Sequence, residues 1–341
     1  MRTRIAIIYN EPSPSHYDIL HEGEAVAGVL QAVESVHQAL LSLDCQVIQV
    51  PLDLPFGRAK GKLRSLDVDL VFNLFEGFSG YPETEASVPE FLAKIGIPFT
   101  GCPAAVLRLA LDKAKVKVIL KAAGIPTPAF QKLSPETLHT FRLGYPCIVK
   151  PRCEDASHGL SAESVVNDFV SLERQVRFIC DAYQGGALVE QFISGREFNV
   201  TVLGNSEYTV LPASEIVYSL PPGMPELLTF AAKWEPGTLY YQGTNPVCPA
   251  RLNSEEQQRI AETAVAVFKL LNCQGYARVD MRMSQDGEIN VIELNPNADI
   301  SPTSGSVRQA EAAGMTYYQF IEKIMGLALG KKQPWTSISV S

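Results

Sequence analysis

Three short apolar runs open the chain: RIAIIYN (4–10), CQVIQV (45–50) and DLVFNL (69–74). Their apolar and β-branched content marks strands, and a helical stretch from about Gly23 to Leu43 makes the first two a βαβ unit. SVPEFLAKIG (87–96) adds a helix and IPFTG (97–101) a strand, so residues 1 to about 103 predict a small parallel-sheet α/β domain. The pattern then changes. LDKAKVKVILKAAGIPTP (111–128) predicts a helix closed by Gly124 and two prolines. CIVKP (147–151), a polar loop to Gly159 and GALVEQFI (186–193) follow, making a second, smaller α+β domain from roughly 104 to 188. The remainder carries REFNVTVLG (196–204), a Pro/Gly-rich loop at 221–250, an amphipathic helix SEEQQRIAETAVAVFKLL (254–271) and strands around 276–295. Ser254 and Gln257 have capping-box spacing, with Glu255 and Glu256 in the first turn, where the helix dipole favours acids.

The last strands carry the clearest chemistry. YARVDMRMSQDGEINVIELN (276–295) is two strands around Asp286-Gly287, a strong hairpin signal. A symmetric turn sets Gln285 opposite Glu288 and, counting outward, Asp280 opposite Glu293 and Arg278 opposite Asn295. Strand side chains alternate, so these four share one face, while Val279, Met281, Ile292 and Leu294 share the other, buriable one. Carboxylates opposed with Cβ atoms ~4.5–5.5 Å apart repel unless a cation lies between them. With oxygen donors only, the set selects Mg²⁺ or Mn²⁺ over zinc and leaves positions for water and phosphate. The competing reading is a solvated ladder in which Arg278 and Arg282 neutralise the two acids. Arg278 also suits a cation placed beside developing negative charge.

Composition narrows the partners. The 341 residues are 46% hydrophobic and 19% charged with a net charge of -8, and no Lys/Arg-rich run suggests nucleic acid as a partner. Seven scattered cysteines without a C-x-x-C pair fit a reducing cytoplasm. No apolar stretch is long enough for a signal-peptide core or a membrane span. GRAKGKL (57–63) approaches a P-loop but lacks its spacing and its Ser/Thr, and no G-x-G-x-x-G occurs.

Nine stretches, in order, resemble the ATP-grasp superfamily and within it the D-alanine-D-alanine ligase family, over nearly the whole chain. They are LFEGFSG (74–80), IPFTG, LDKAKVK (111–117), AAGIPTP (122–128), YPCIVKP (145–151), VEQFISGREF (189–198), ARVDMRM (277–283), DGEINVIELNP (286–296) and AAGMTYYQFIEKI (312–324). The resemblance implies a mixed α/β and α+β fold of ATP-grasp architecture. Its parts are an N-terminal parallel-sheet domain (1–103), a small central lid domain (104–188) and a C-terminal catalytic domain with an antiparallel sheet (189–335). It also implies that ATP phosphorylates a substrate carboxylate and that an amine then attacks the acylphosphate. By the same resemblance Lys113 and Lys150 hold phosphates, Ser157 lies in the phosphate lid, Glu190, Gln191, Phe192 and Ile193 hold adenine, and Glu197 holds ribose. Asp280, Glu293 and Asn295 are the implied metal ligands, with Glu293 bridging two Mg²⁺ ions; Arg278 stabilises the oxyanion and Lys233 is the mobile-loop lysine. A homodimer is implied as well. Without the family, Lys150 reads as a snorkelling strand-end lysine, and Lys113, Lys115, Lys117 and Lys121 as a solvated helix face.

The substrate half departs from the family. Its Gly-Gly segment is replaced by YNEPSPSHYDILHEGEA (9–25), where Glu22 or Glu24 are candidate stand-ins. Glu76-Gly77 replaces His-Gly, Asp155 and Ala156 precede Ser157 in the lid, and Asp299 follows the metal asparagine, with Ser304 and Gly305 near the place for a second substrate's carboxylate. The expectation is a Mg·ATP-dependent carboxylate-amine ligase acting on small amino acids or amines. Its rivals are a phosphotransferase and a non-catalytic nucleotide-binding protein. Extra acids at Glu76, Asp155 and Asp299 predict a substrate more cationic than alanine.

Overall fold

The computed structural model describes residues 2–11, 16–20, 28–78, 81–183 and 185–330. The first sheet is parallel, with β1 (Arg4–Asn10) between β2 (Gln46–Leu52) and β3 (Leu70–Leu74). Both faces are covered, as parallel sheets require. Ile5 and Ile7 pack with Val33, Val36 and Leu40 of the helix Val29–Ser42, while Ala6 and Ile8 pack with Leu63, Val88 and Leu92 from helices Phe56–Arg64 and Ser87–Ile95. The expected first helix thus starts at Val29, and its stretch at 23–27 lies outside the described residues. IPFTG is not a strand. It makes a single parallel bridge, Val71 to Phe99, because Pro98 brings no N–H to a ladder and the Thr100 hydroxyl accepts the Asn73 N–H at 2.9 Å.

The second sheet is antiparallel. It comprises β4 (Phe130–Leu133), β5 (Cys147–Pro151), β6 (Val165–Val166) and β7 (Ala187–Gln191) in the order β4-β7-β5-β6. Leu172, Val176 and Ile179 of helix Phe169–Ala182 bury one face, and the residues on the other border the cleft described below.

The third sheet is antiparallel and larger: β8 (Gly195–Gly204), β9 (Tyr208–Val210), β10 (Ser214–Tyr218), β11 (Thr244–Val247), β12 (Gly275–Ser284) and β13 (Ile289–Asn295). Its order is β11-β10-β8-β12-β13, with β9 beside β8. Helix Ser254–Leu270 buries one face through Ile260, Ala264, Val267 and Phe268, joined by Val106, Val116 and Leu120 from helices Ala104–Leu111 and Lys113–Ala122. The cap of the longer helix is Asn253 with Glu256, one residue earlier than the Ser254/Gln257 spacing predicts: Asn253 Oδ1 accepts the Glu256 N–H at 2.9 Å and Glu256 Oε2 the Asn253 N–H at 3.0 Å. The 221–250 loop is also partly regular. Thr229 and Thr238 hydroxyls cap short helices at Phe230–Trp234 and Leu239–Gly243, which precede β11.

The β12–β13 hairpin reaches the expected pairing by an unexpected route. Asp280 faces Glu293 and Arg278 faces Asn295, but nearer the turn Met281 pairs with Val291 and Met283 with Ile289. The turn has three residues, not two, since Ser284 and Glu288 pair across it and Gly287 sits at φ +84°. A bulge at Ile292 restores the count. Ile292 accordingly leaves the buried face that Val279, Met281 and Leu294 share and borders the cleft.

Gly195 opens β8 at φ +140°, with the Met283 carbonyl oxygen inside contact distance of any Cβ placed there. Gly195→Ala is expected to destabilise the chain by at least about 2 kcal/mol. A thermal midpoint equal to wild type would contradict this close approach of β8 and β12.

Candidate active site

The second and third sheets enclose a cavity lined by Ile148, Lys150, Glu190, Gln191, Phe192, Ile193, Glu197, Leu227, Asp280, Met281, Arg282 and Ile292. The structure thus gathers Lys150, the four residues from Glu190 to Ile193, and Glu197 beside Asp280, although they are spread over 131 positions from Lys150 to Asp280 counted inclusively. Apolar walls with a few polar groups suit a flat heterocycle.

Glu197 is anchored from several sides. Its Oε2 accepts hydrogen bonds from Tyr218 Oη at 2.7 Å and from Arg282 Nε at 3.1 Å and Nη2 at 2.8 Å. Arg282 pairs there because it lies directly across from Glu197 between β12 and β8. The solvated ladder is therefore corrected: Arg282 does not neutralise the opposed acids. Arg278 grips Asp280 with Nε at 2.7 Å from Oδ1 and Nη2 at 2.8 Å from Oδ2, and Glu293 is met instead by Lys113 Nζ at 2.6 Å.

Lys113 and Lys117 are not surface lysines. One turn apart on helix Lys113–Ala122, they are only 6% and 1% exposed, whereas Lys115 and Lys121 face solvent. Lys113 Nζ also lies 3.0 Å from Asp155 Oδ1 and donates to the Glu154 carbonyl. Burial works against its charge, but Asp155 and Glu293 raise its pKa above the ordinary lysine value. Glu293 is lowered in turn, its burial outweighed by Lys113 and Lys150. Glu190 is 1% exposed and shared by two ammonium groups, Lys150 at 2.9 Å and Lys117 at 3.2 Å. Burial, opposed by Glu190 and reinforced by Lys150, lowers Lys117 to about 8.

Asn295 completes the set by donating from Nδ2 to Asp280 Oδ2 at 2.9 Å. Among the described residues no three His, Cys, Asp or Glu side chains cluster as a metal site, so a metal here would need the Asn295 amide oxygen as a third protein donor beside Asp280 and Glu293. The residues fit a hard divalent cation: two carboxylates and an amide, with Glu293 Oε1 buried, in contact with the Lys113 charge but lacking an aligned hydrogen-bond donor. Lys233 on helix Phe230–Trp234 joins the group. Burial and then Arg278 lower its pKa, while Asp280 and Glu293 oppose them.

The two segments expected to act as lids, the polar loop ending at Gly159 and the 221–250 loop, pack on each other. Ser157, at φ +64°, donates its hydroxyl to the Leu228 carbonyl at 3.0 Å, Trp234 Nε1 donates to the Ala156 carbonyl at 3.4 Å, and the Phe230 N–H donates to Leu160 at 3.0 Å. Ser157 thus faces the second lid and does not line the cavity. Tyr17, absent from the sequence-based site, reaches this layer by stacking on His158 at 4.3 Å and donating to Glu154 Oε2 at 2.7 Å.

Glu22 and Glu24 lie outside the described residues. Glu76, Asp155 and Asp299 do converge. Although Glu76 is an exposed residue, confinement of its carboxyl, then the charges of Asp299 and Asp155, push it above the ordinary carboxylate range. Glu85, which no spacing or motif marks, joins them: burial and Asp155 raise it to about 8 against a 2.8 Å hydrogen bond from Asn297 Nδ2. Of the arginines that could neutralise these acids, Arg152 pairs with Asp112 at 3.7 Å and Arg196 with Glu215 at 2.7 Å, whereas Arg308 and Arg278 do feel the charge of Asp299, although among the described residues Glu76 and Asp299 form no ion pair within 4.0 Å. Asp299 instead accepts from the Ser301 N–H at 2.7 Å and Ser301 Oγ at 2.9 Å. Ser304 caps helix Gly305–Ala312, its Oγ accepting the Val307 N–H at 3.4 Å. No described helix is long and apolar enough to cross a membrane.

Residues 119–326 match the protein family described as D-ala D-ala ligase C-terminus. The uncharacterized protein y4sG of Sinorhizobium fredii is 33% identical over 94% of this chain and 92% of its own length. The D-alanine--D-alanine ligase of Desulforudis audaxviator is 30% identical over 88% of this chain and 93% of its own. The crystal structure of D-alanine--D-alanine ligase from Bacillus anthracis complexed with ATP superposes with a TM-score of 0.73 over 96% of this chain and 98% of that one; at 22% identity the likeness is one of fold.

The Glu85 carboxyl supplies a pH test. Its folded value is about 8 against an ordinary 4.5, so between these pH values the unfolded chain releases a proton that the folded chain keeps. Stability therefore falls as pH rises through that window. Glu85→Gln keeps an acceptor for Asn297 and is expected to exceed wild type in stability by on the order of 1 kcal/mol at pH 8.5, after solvent screening of a half-buried group. The gap should close toward pH 4. Thermal midpoints that differ equally at both pH values would contradict the raised carboxyl.

Proposed function

The chain belongs to the D-alanine-D-alanine ligase family, and on that premise we propose that it is a Mg·ATP-dependent carboxylate-amine ligase working through an acylphosphate. It has ATP-grasp architecture. One observation carries the reading: the apolar-walled cavity abuts the strand pair that holds Arg278, Asp280, Glu293 and Asn295 together. The rivals, a phosphotransferase and a non-catalytic nucleotide-binding protein, are not favoured by membership of a ligase family.

In this reading the adenine ring lies between Ile148, Phe192, Leu227, Met281 and Ile292, against the chain from Glu190 to Ile193, with Glu197 on the ribose. Lys150 and Lys113 meet the phosphates as point charges. A phosphate oxygen would draw Lys113 from Glu293 and Asp155, which hold it now. Asp280, Glu293 and Asn295 would hold divalent metal, Mg²⁺ or Mn²⁺. Such metal supplies charge neutralisation at the transferring phosphoryl group. Arg278, fixed in orientation by its bidentate grip on Asp280, stabilises the oxyanion formed when the amine attacks the acylphosphate. Lys233 adds positive charge from the lid, and the packed lid segments, Ser157 included, exclude water from an intermediate that water would destroy.

Substrates enter beside Glu76, Glu85, Asp155 and Asp299, with Ser304 and Gly305 at the helix start for a carboxylate. We assign 1–103, 104–188 and 189–335 as N-terminal, central lid and catalytic domains, the helices at 104–122 serving as the link because they pack on the third sheet. A cytoplasmic homodimer acting on small amino acids or amines, without nucleic-acid or membrane partners, completes the proposal; the net charge of -8 and seven free cysteines support it.

Glu293→Gln and Asp280→Asn are each expected to lower ligation by at least about a hundredfold at saturating Mg²⁺, followed as phosphate release and amide formation. Wild-type turnover in either variant would remove these residues from the metal set. The acid-rich substrate side predicts that kcat/KM for a basic amino acid or amine exceeds that for D-alanine by about tenfold or more, and that Asp299→Gly erases the preference. A clear preference for D-alanine pairs would sink the cationic-substrate reading.

A further inference from the structure

We propose that Lys117, which does not line the cavity, is a positioning residue for nucleotide phosphate: by sharing Glu190 with Lys150 it leaves the buried triad one positive charge in excess. The inference rests on the nucleotide reading above. Lys117 Nζ lies 3.2 Å from Glu190 Oε2 and donates to Thr127 Oγ1 at 2.9 Å, and the Thr127 hydroxyl donates to the Val291 carbonyl at 2.8 Å. Lys150 Nζ lies 2.9 Å from Glu190 Oε1. Lys150 and Glu190 border the cavity, whereas Lys117 and Thr127 stand behind it.

Lys150 and Glu190 alone would form a neutral, self-satisfied pair, and an incoming phosphate would have to compete with the carboxylate for the ammonium. With Lys117 on the far oxygen, one carboxylate serves two cations. In a poorly solvated site the surplus charge, offset only by Glu293, which makes no ion pair with Lys117 or Lys150, is costly until an anion arrives. The contact with Lys150 also lacks direction, since Glu190 Oε1 has no aligned hydrogen-bond donor despite the nearby charge. Lys150 is thus held by charge, not by a fixed hydrogen bond, and can turn toward phosphate while Lys117 keeps Glu190 in place. The competing role is purely structural, with Lys117 tying its helix to β13 through Thr127.

Binding of ATP and of adenosine to the full chain, measured by calorimetry at pH 7, separates the two roles; burial lowers Lys117 only to about 8, so it is charged there. Lys117→Met is expected to weaken ATP on the order of tenfold while adenosine, which lacks phosphate, changes by less than about twofold. Equal loss of both ligands would mean a purely structural role and overturn the proposal, as would ATP binding unchanged from wild type. Should Lys117→Met fail to fold, Lys117→Gln keeps a donor for Thr127 without the charge, and the same outcomes apply. Wild-type protein that binds no ATP would overturn the nucleotide reading and this inference with it, a result distinct from wild-type binding that the variant retains.

Discussion

Two carboxylates held face to face on adjacent strands cannot both remain ionised without cations close by. Asp280 and Glu293 are such a pair, and the cleft is organised around their neutralisation. Asp280 draws its cation from its own strand, from Arg278 two residues away. Glu293 draws on a different part of the chain, Lys113 at the start of a helix that leans on the third sheet. That second pairing has further consequences. Docking Lys113 aims the same helix face, one turn on, at Glu190 in the second sheet, so one row of lysines links the hairpin, the cavity wall at Glu190 and Thr127.

Charge is divided across the cleft. The side proposed to take nucleotide holds Lys113, Lys117, Lys150, Lys233 and Arg278 against fewer acids, which suits a polyphosphate. The other side holds Glu76, Glu85 and Asp299; burial first, and then repulsion among these acids and Asp155, raises the Glu76 and Glu85 carboxyls above the ordinary carboxylate range. Asp155 lies between the two regions because Lys113 holds it there. A substrate carrying positive charge would relieve the acidic side as phosphate relieves the basic one.

The lids add a third element. His158 stacks on Tyr17, from the segment that stands where the family has its Gly-Gly stretch, and lies 5.7 Å from the Phe230 ring of the second lid. Segments far apart in sequence thereby meet beside Lys113, and Glu154 ties them to the lysine row through the carbonyl that accepts from Lys113.

Much of this was legible before folding. Strand alternation and an Asp-Gly turn put Asp280 opposite Glu293 and Arg278 opposite Asn295, because side-chain direction in a strand is a local property. Even there the agreement came from two offsets that cancel, a longer turn and the Ile292 bulge, since hydrophobic pattern carries no record of a backbone insertion that leaves the same residues facing inward. The ordered motifs likewise placed the residues from Glu190 to Glu197 together. What the chain could not disclose locally was which polar groups would be buried. Lys113 and Lys117 look like any solvated helix face, and Glu85 belongs to no pattern. Their surroundings come from strands and loops as many as 212 positions away, as in the bond between Glu85 and Asn297. The sequence by itself determined the strands that carry the site, the opposed acids and the family; tertiary structure decided which lysines answer those acids, because desolvation and charge pairing exist only once distant segments are packed around the same few side chains.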